Sequence, residues 1–410
     1  MIKNGRSTDA PQAPHEVPFA GAQSAADVTT VTTAWRRVVR HRSFLQAGVG
    51  LGVASTVLPG SMLVAPAAQA AAEQHHEQHH LNKGDTALLR LLAAVETVET
   101  DLWVQYNELG GNNGVANGTV SFPVAGKDTA YVGALGNLDS DMSQYISDNT
   151  DDELSHMLFL NAYLRSKGAR PVDLSGPQFN TQPPSTVPGV PQHKRLTNLQ
   201  NLTVDTSFYT RYRSAENPDF GATFAQAVNI TNEPGIPRSS ADDAPTARIQ
   251  AIANTASFHF GFIEQGGASL YSILALKASS LEVLRIIVSI GGVETDHFPL
   301  WHDKLGNAVS TPVAPVTDPV TGVMFPDLNA QGGELKQTNL ILPEPCDFIS
   351  ESLPECSVIR PTADALGGAV ATFNAFKADG LFGTGAGFNG TLFDTLIELA
   401  EAADAASRQA

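Results

Sequence analysis

The chain has 410 residues and a formal net charge of −17 at neutral pH. Residues 1–70 carry six basic and three acidic groups, a net +3, so the remaining chain carries −20. A surface this acidic repels nucleic acid and anionic membranes, and we expect neither as a partner. The length is sufficient for two ordinary domains.

The pattern of the first 70 residues predicts an export signal, so we do not expect this segment to form part of the folded domain. The sequence Arg-His-Arg-Ser-Phe-Leu at 40–45 precedes an apolar run at 47–59, and a small-x-small sequence ends at Ala70, where we expect cleavage. The run is too short for a permanent membrane span. The segment resembles a twin-arginine signal, but His41 replaces the first arginine, so the general secretory route stays open. We expect a periplasmic or extracellular protein; a disordered tail is the alternative interpretation.

A histidine-rich linker at 71–83 follows the export signal. If this segment is helical, its histidines form two i,i+4 pairs, a geometry that chelates a divalent cation. They are His75, His76, His79 and His80. An unstructured mature N-terminus is the alternative interpretation.

Residues 84–305 predict four long helices, because apolar residues recur there with helical spacing. An insertion at 110–135 with short strand-like pieces separates the first two helices. A proline-rich connection at 170–243 separates the second from the third, and a separate small domain is the alternative there. The predicted helices span about 84–108, 135–167, 244–276 and 280–305.

Each predicted helix has charged or imidazole side chains on its apolar face. The first helix has Glu99 there and the third has Glu264. The second and fourth each have a Glu-x-x-His sequence, at 153–156 and 294–297. Burying such groups costs several kcal/mol each unless something compensates their charge. Bound metal is the compensation we expect; buried polar groups that satisfy one another without metal are the alternative.

This order of residues resembles the ferritin-like di-iron and di-manganese carboxylate proteins, in which two helices each supply a Glu and two others each supply Glu-x-x-His. The sequence DDELSHMLFLNAYLRSKGARPV at 151–172 also resembles the branch that includes plant desiccation-related proteins and their exported bacterial relatives. The resemblance covers roughly residues 85–305. It implies an all-α, ferritin-like four-helix bundle with one long crossover, long irregular insertions and a C-terminal extension.

The resemblance also implies a site for two divalent ions, iron or manganese. The implied ligands are Glu99, Glu153, His156, Glu264, Glu294 and His297. Tyr106 and Tyr271 would pack or hydrogen-bond beside these ligands; ordinary core packing is the alternative for both. We expect Glu96 to be exposed, with ligation as the alternative, and Asp152 to point away from the site. His259 is expected at the surface or beside the ligands.

Residues 306–410 predict an irregular extension that ends in a helix at about 392–406. Cys346 and Cys356 are expected to form a disulfide in an oxidising compartment, and metal ligation by the pair is the alternative. The apolar stripe of the last helix predicts packing either on the bundle or on a second copy of the chain. A homo-oligomer is therefore one of two interpretations.

The cysteine count bears on the reaction. The chain has two cysteines, both outside the bundle, so it lacks the four-cysteine iron site of rubrerythrins. Any reaction that consumes electrons needs a separate donor, whereas peroxide dismutation, as in manganese catalases, needs none. We favour an oxidoreductase that acts on peroxide or dioxygen in stress defence. The alternative is a non-catalytic desiccation-related or metal-binding scaffold.

Overall fold

The structure is a computed structural model. It describes residues 80–117, 120–122, 124, 126–210, 225–330, 343–344, 350, 352–357 and 368–409. The predicted export signal, its cleavage site at Ala70, most of the histidine-rich linker and Cys346 lie outside the described residues. Across the described ranges, no helix has both the length and the apolar character needed to cross a membrane.

Four long helices form a bundle. The bundle helices are α1, α3, α4 and α5. All the α-helices of the described residues, in chain order, are α1 (Lys83–Gly110), α2 (Thr129–Leu138), α3 (Met142–Ser166), α4 (Thr246–Ala275), α5 (Leu281–Leu305), α6 (Ala369–Asp379) and α7 (Gly390–Asp404). The bundle consists of two hairpins, because α1 packs along α3 and α4 packs along α5. Trp103 of α1 stacks on both Phe260 of α4 and Trp301 of α5, which joins the two hairpins. The predicted all-α four-helix bundle is confirmed.

Side-chain caps mark the starts of two bundle helices, α1 and α5. The Asn82 side chain accepts a hydrogen bond from the Asp85 amide at the start of α1, and Ser280 accepts one from the Val283 amide at the start of α5. The buried Asp85 carboxylate also accepts hydrogen bonds from the amides of Ser279 and Ser280, at 2.8 and 3.0 Å. One carboxylate thus ties the start of α1 to the turn between α4 and α5.

The second predicted helix, at 135–167, is wrong in its N-terminal part. The structure has two helices there, α2 and α3, with a break at Asp139. Asp139 has an extended backbone, and its carboxylate accepts a hydrogen bond from the Asp141 amide. Short polar side chains compete with the helical hydrogen bonds in this way and favour a break.

The crossover at 167–245 packs onto the bundle. Its buried side chains, among them Leu199, Phe208 and Ile236, belong to the same hydrophobic core as the bundle helices. The crossover contains two 3₁₀ turns, Ser207–Tyr209 and Ser240–Asp243. In the described residues the connection therefore extends the bundle core rather than building a separate one.

Three short antiparallel strand pairs lie outside the bundle. They are β1 (Val115–Asn117) with β2 (Val120–Phe122), β3 (Val316–Thr317) with β4 (Met324–Phe325), and β5 (Pro343–Glu344) with β6 (Cys356–Ser357). The first pair lies in the insertion where strand-like pieces are predicted. Cys356 on β6 is exposed, and it forms no disulfide with another described residue. Since Cys346 lies outside the described residues, the disulfide stays a prediction.

The C-terminal extension contains one helix that the sequence pattern did not predict. Residues 366–390 are rich in glycine and phenylalanine, yet α6 forms there and buries Phe373 and Phe376. The last helix, α7, packs on α1 and on α6. Of the two interpretations of its apolar stripe, the structure shows packing on the bundle.

We expect the Asp85→Ala substitution to lower the free energy of unfolding by about 1–3 kcal/mol, because it leaves the two turn amides without their acceptor. Chemical denaturation followed by circular dichroism measures the change. Asp148→Ala, which removes an exposed carboxylate from α3, is the matched control and should change stability little. Equal effects of the two substitutions would contradict the role assigned to Asp85.

Candidate metal centre

The bundle brings the two Glu-x-x-His sequences together in its core. Two overlapping groups of buried side chains each place four possible ligand atoms within 4.8 Å of one another. The first group is Glu96, Glu153, His156 and Glu294, and the second is Glu153, Glu264, Glu294 and His297. Glu153 and Glu294 belong to both groups, so two carboxylates lie between two histidines.

Both imidazole rings present Nδ1 to the carboxylates. His156 Nδ1 lies 3.3 Å from the nearest carboxylate oxygen of each of three residues, Glu96, Glu153 and Glu294. His297 Nδ1 lies 3.3 Å from oxygens of Glu153 and Glu264. All the carboxylates of the two groups are at most 1% exposed, so water does not screen their charges.

The electrostatics of this cluster are unfavourable without a cation. Burial raises the pKa of Glu294 well above its usual range, and neighbouring carboxylates raise it further. Burial likewise raises the pKa of Glu96 to about 7, although His156 opposes the shift. Burial alone would lower the pKa of His156, but the surrounding carboxylates raise it well above its usual range. Without a metal ion, bound protons therefore neutralise the carboxylate charges that the ion would otherwise neutralise.

Several buried carboxylate oxygens make no hydrogen bond with the described residues. Both oxygens of Glu99 and the Oε2 oxygen of Glu294 are in this condition. A buried carboxylate oxygen without a donor is costly, and a divalent cation supplies the missing partner. The oxygen and imidazole-nitrogen donors of the cluster suit iron or manganese. The residues present therefore fit a pair of divalent ions.

A family model described as ferritin-like domain matches residues 20–307. The chain belongs to this family. The match begins within the segment predicted as an export signal. It is to the family as a whole, so the desiccation-related branch stays a prediction. No curated protein and no solved structure matches the chain.

One sequence expectation for this ferritin-like centre is wrong. Glu96, expected to be exposed, is fully buried, and it joins His156 in the first group. Glu99 is also buried but belongs to neither group. Burial raises the pKa of Glu99 well above its usual range, and the charge of Glu294 adds to this effect. Ligation by Glu99 stays a prediction, and the centre has a fifth nearby carboxylate that the sequence pattern did not include.

A second correction concerns Asp152. Its carboxylate was expected to point away, yet Oδ2 lies 3.2 Å from Nε2 of His297. A carboxylate at this nitrogen holds the ring in one orientation and keeps the proton on Nε2, which leaves Nδ1 free to bind a metal. Asp152 directly precedes Glu153 in the sequence, but the histidine that it contacts lies on α5, in the other hairpin.

Asn149 lies one turn before Glu153 on α3, and it is a site residue that the sequence pattern did not single out. Its Nδ2 group donates to Glu153 Oε1 at 2.8 Å and to Glu264 Oε1 at 3.1 Å. Trp301 Nε1 donates to Asn149 Oδ1 at 2.7 Å, which fixes the orientation of the amide. Asn149 therefore holds one carboxylate from each hairpin in place.

The two predicted tyrosines have different surroundings. The Tyr271 hydroxyl donates a hydrogen bond to Glu96 Oε1, so this tyrosine does contact the cluster. The Tyr106 hydroxyl instead lies 2.8 Å from Nδ1 of His259, a fully buried residue rather than a surface one. Tyr106 thus packs in the core beyond the predicted ligands.

Two glycines allow α4 and α5 to approach each other at the centre. A Cβ atom at Gly267 would lie 2.6 Å from Glu294 Oε2, and one at Gly291 would lie 2.6 Å from the Tyr271 Cβ. Gly292 has open space around its Cβ position. Close packing therefore explains Gly291, whereas nothing in the structure explains Gly292.

We expect the metal-free protein to lose stability as the pH rises from about 5 to about 8. The pKa of Glu96 is raised from its ordinary value of 4.5 to about 7 in the folded protein. The protonated carboxyl therefore stabilises the fold at a pH below the pKa of the unfolded state, and this contribution is lost as the pH rises through the pKa of the folded state. Thermal unfolding of chelator-treated protein across this range measures the effect. The Glu96→Gln variant carries no titrating group at this position and should show a smaller decrease. An identical pH dependence in both proteins would contradict this prediction.

Proposed function

We propose that this ferritin-like protein is exported, binds two divalent ions of iron or manganese, and acts there as an oxidoreductase on peroxide or dioxygen. One observation carries the proposal: Glu153 and Glu294 belong to both ligand groups. Carboxylates shared in this way would hold two ions close enough to act on one small oxidant. The buried oxygens without donors and the family membership support the same conclusion.

The ions, when bound, supply Lewis acidity and a reversible change of oxidation state. The chain supplies the rest. Asp152 keeps the proton of His297 on Nε2, so that Nδ1 remains a ligand atom. Asn149 and Trp301 restrain Glu153 and Glu264, and Tyr271 restrains Glu96 by its hydrogen bond. The apolar bundle core around these groups excludes bulk water, which strengthens every electrostatic interaction at the site.

We expect about two ions of iron or manganese per chain after loading, by elemental analysis, because each group supplies four possible ligand atoms. The Glu153→Ala/His297→Ala double variant should lose this metal, since it removes one shared carboxylate and one imidazole. Asp296→Ala is the matched control, because Asp296 is the exposed neighbour of His297 and should leave the metal content unchanged.

Peroxide consumption, followed by oxygen release or by loss of absorbance, tests the reaction itself. The loaded protein should consume peroxide, and Glu264→Gln should reduce the rate while leaving the fold intact by circular dichroism. Metal uptake without turnover would leave the non-catalytic scaffold. A folded protein that takes up neither ion would contradict the proposal as a whole.

The export part of the proposal predicts a mature chain that begins at residue 71. N-terminal sequencing or intact mass of the protein from an expressing cell's periplasm or medium checks this. Replacement of both Arg40 and Arg42 by lysine should retain the precursor in the cytoplasm if the twin-arginine route is used. Normal processing of this variant would favour the general secretory route, and an uncleaved chain inside the cell would contradict export.

A further inference from the structure

An aromatic chain leads away from the carboxylate cluster through the bundle core. Its first member is Trp301, whose Nε1 donates to Asn149, the amide that holds Glu153 and Glu264. The Trp301 ring stacks on Trp103 with a centroid separation of 5.3 Å and an interplanar angle of 24°. The Trp103 ring lies 5.9 Å from that of Tyr106.

Phe260 packs against all three of these rings. Its centroid lies 4.6 Å from Trp301, 4.8 Å from Trp103 and 4.6 Å from Tyr106. Trp103, Trp301 and Tyr106 are all fully buried. The rings therefore form one continuous, buried series of contacts from Trp301 to Tyr106, and the Asn149 amide joins Trp301 to the carboxylate cluster.

The far end of the chain has a proton acceptor. The Tyr106 hydroxyl lies 2.8 Å from His259 Nδ1, and His259 Nε2 lies 3.2 Å from Asp379 Oδ2. His259 and Asp379 are at most 2% exposed, so the two side chains form a pair that is buried away from water. A proton on Nε2 faces Asp379 and leaves Nδ1 to accept the tyrosine proton. The Asp379 carboxylate then stabilises the resulting imidazolium.

We propose that Trp301, Trp103 and Tyr106 form a redox relay that delivers one electron to the metal centre, with Tyr106 as the donor and His259 as its proton acceptor. The proposal rests on the function proposed above, because the oxidant is the metal centre after its oxidation by a peroxide. Tyr106 loses one electron through Trp103 and Trp301 to that centre. Its O–H bond breaks and an N–H bond forms at His259 Nδ1. The products are a neutral phenoxyl radical, an imidazolium and a centre reduced by one electron.

Two further observations fit this role. Burial raises the pKa of Tyr106 well above its usual value, so the resting side chain is a phenol and loses its proton only together with an electron. Asp379 also lines a cavity of about 610 Å³ with Thr203, Asp205 and Phe262. The proton-accepting end of the relay therefore adjoins a cavity, and a small reductant bound there would lie beside Asp379.

Freeze-quench electron paramagnetic resonance tests the relay. Protein of verified metal content is mixed with hydrogen peroxide, and we expect a phenoxyl signal whose hyperfine splitting collapses when the tyrosines carry ring deuterium. Tyr106→Phe should abolish the signal. Trp103→Phe should also abolish it although Tyr106 is present, because the path to the centre is cut. Formation of the radical should be slower in deuterium oxide, since a proton moves with the electron.

Tyr131→Phe is the matched control. Tyr131 is equally buried, but its hydroxyl donates to the Gly235 carbonyl oxygen, which cannot take up a proton. This variant should keep the full signal. A signal that survives Tyr106→Phe at equal metal content would overturn the relay. So would a wild-type protein that binds metal and consumes peroxide without forming a tyrosyl radical, and this result would leave the proposed function standing. Absence of metal uptake would overturn both.

Discussion

The structure depends on a concentration of negative charge inside the bundle. Five glutamates from four helices lie within the core, and none of them is more than 1% exposed. Taking such groups out of water is so costly that the fold requires compensation at this point, by protons, imidazoles or cations. The packing around the cluster follows from this requirement: glycines where the helices meet, an amide that holds two carboxylates, and tryptophans that exclude water.

Much of this was accessible from the sequence, because the responsible signals are periodic. Glu153, His156, Glu294 and His297 lie on apolar stripes at helical spacing, and one face of a helix turns towards one core. The structure brings these four residues together in the two groups of possible ligands. The family match then confirms the ferritin-like fold that their order implies.

What the sequence could not show depends on rotation and on contacts between distant segments. Glu96 and Glu99 lie one turn apart, so a modest rotation of α1 decides which of them faces His156, and periodicity does not determine it. The contact between Asp152 and His297 joins the two hairpins, and so does the hydrogen bond from the Asn149 amide to Glu264. The break at Asp139 depends on a side-chain hydrogen bond that competes with those of the helix backbone. The helix α6 depends on the burial of its phenylalanines, which outweighs the glycine-rich composition of that segment.

Each hairpin supplies three members of one ligand group and takes the fourth from the other hairpin. Glu96, Glu153 and His156 come from the first hairpin, whereas Glu264, Glu294 and His297 come from the second. Neither hairpin is a complete site, and the two are joined only after the crossover at 167–245 has closed a long loop. Ion capture would therefore come late in folding, after the hairpins dock. By the same reasoning, separation of the hairpins would weaken the hold on both ions at once, since each group would lose its fourth ligand.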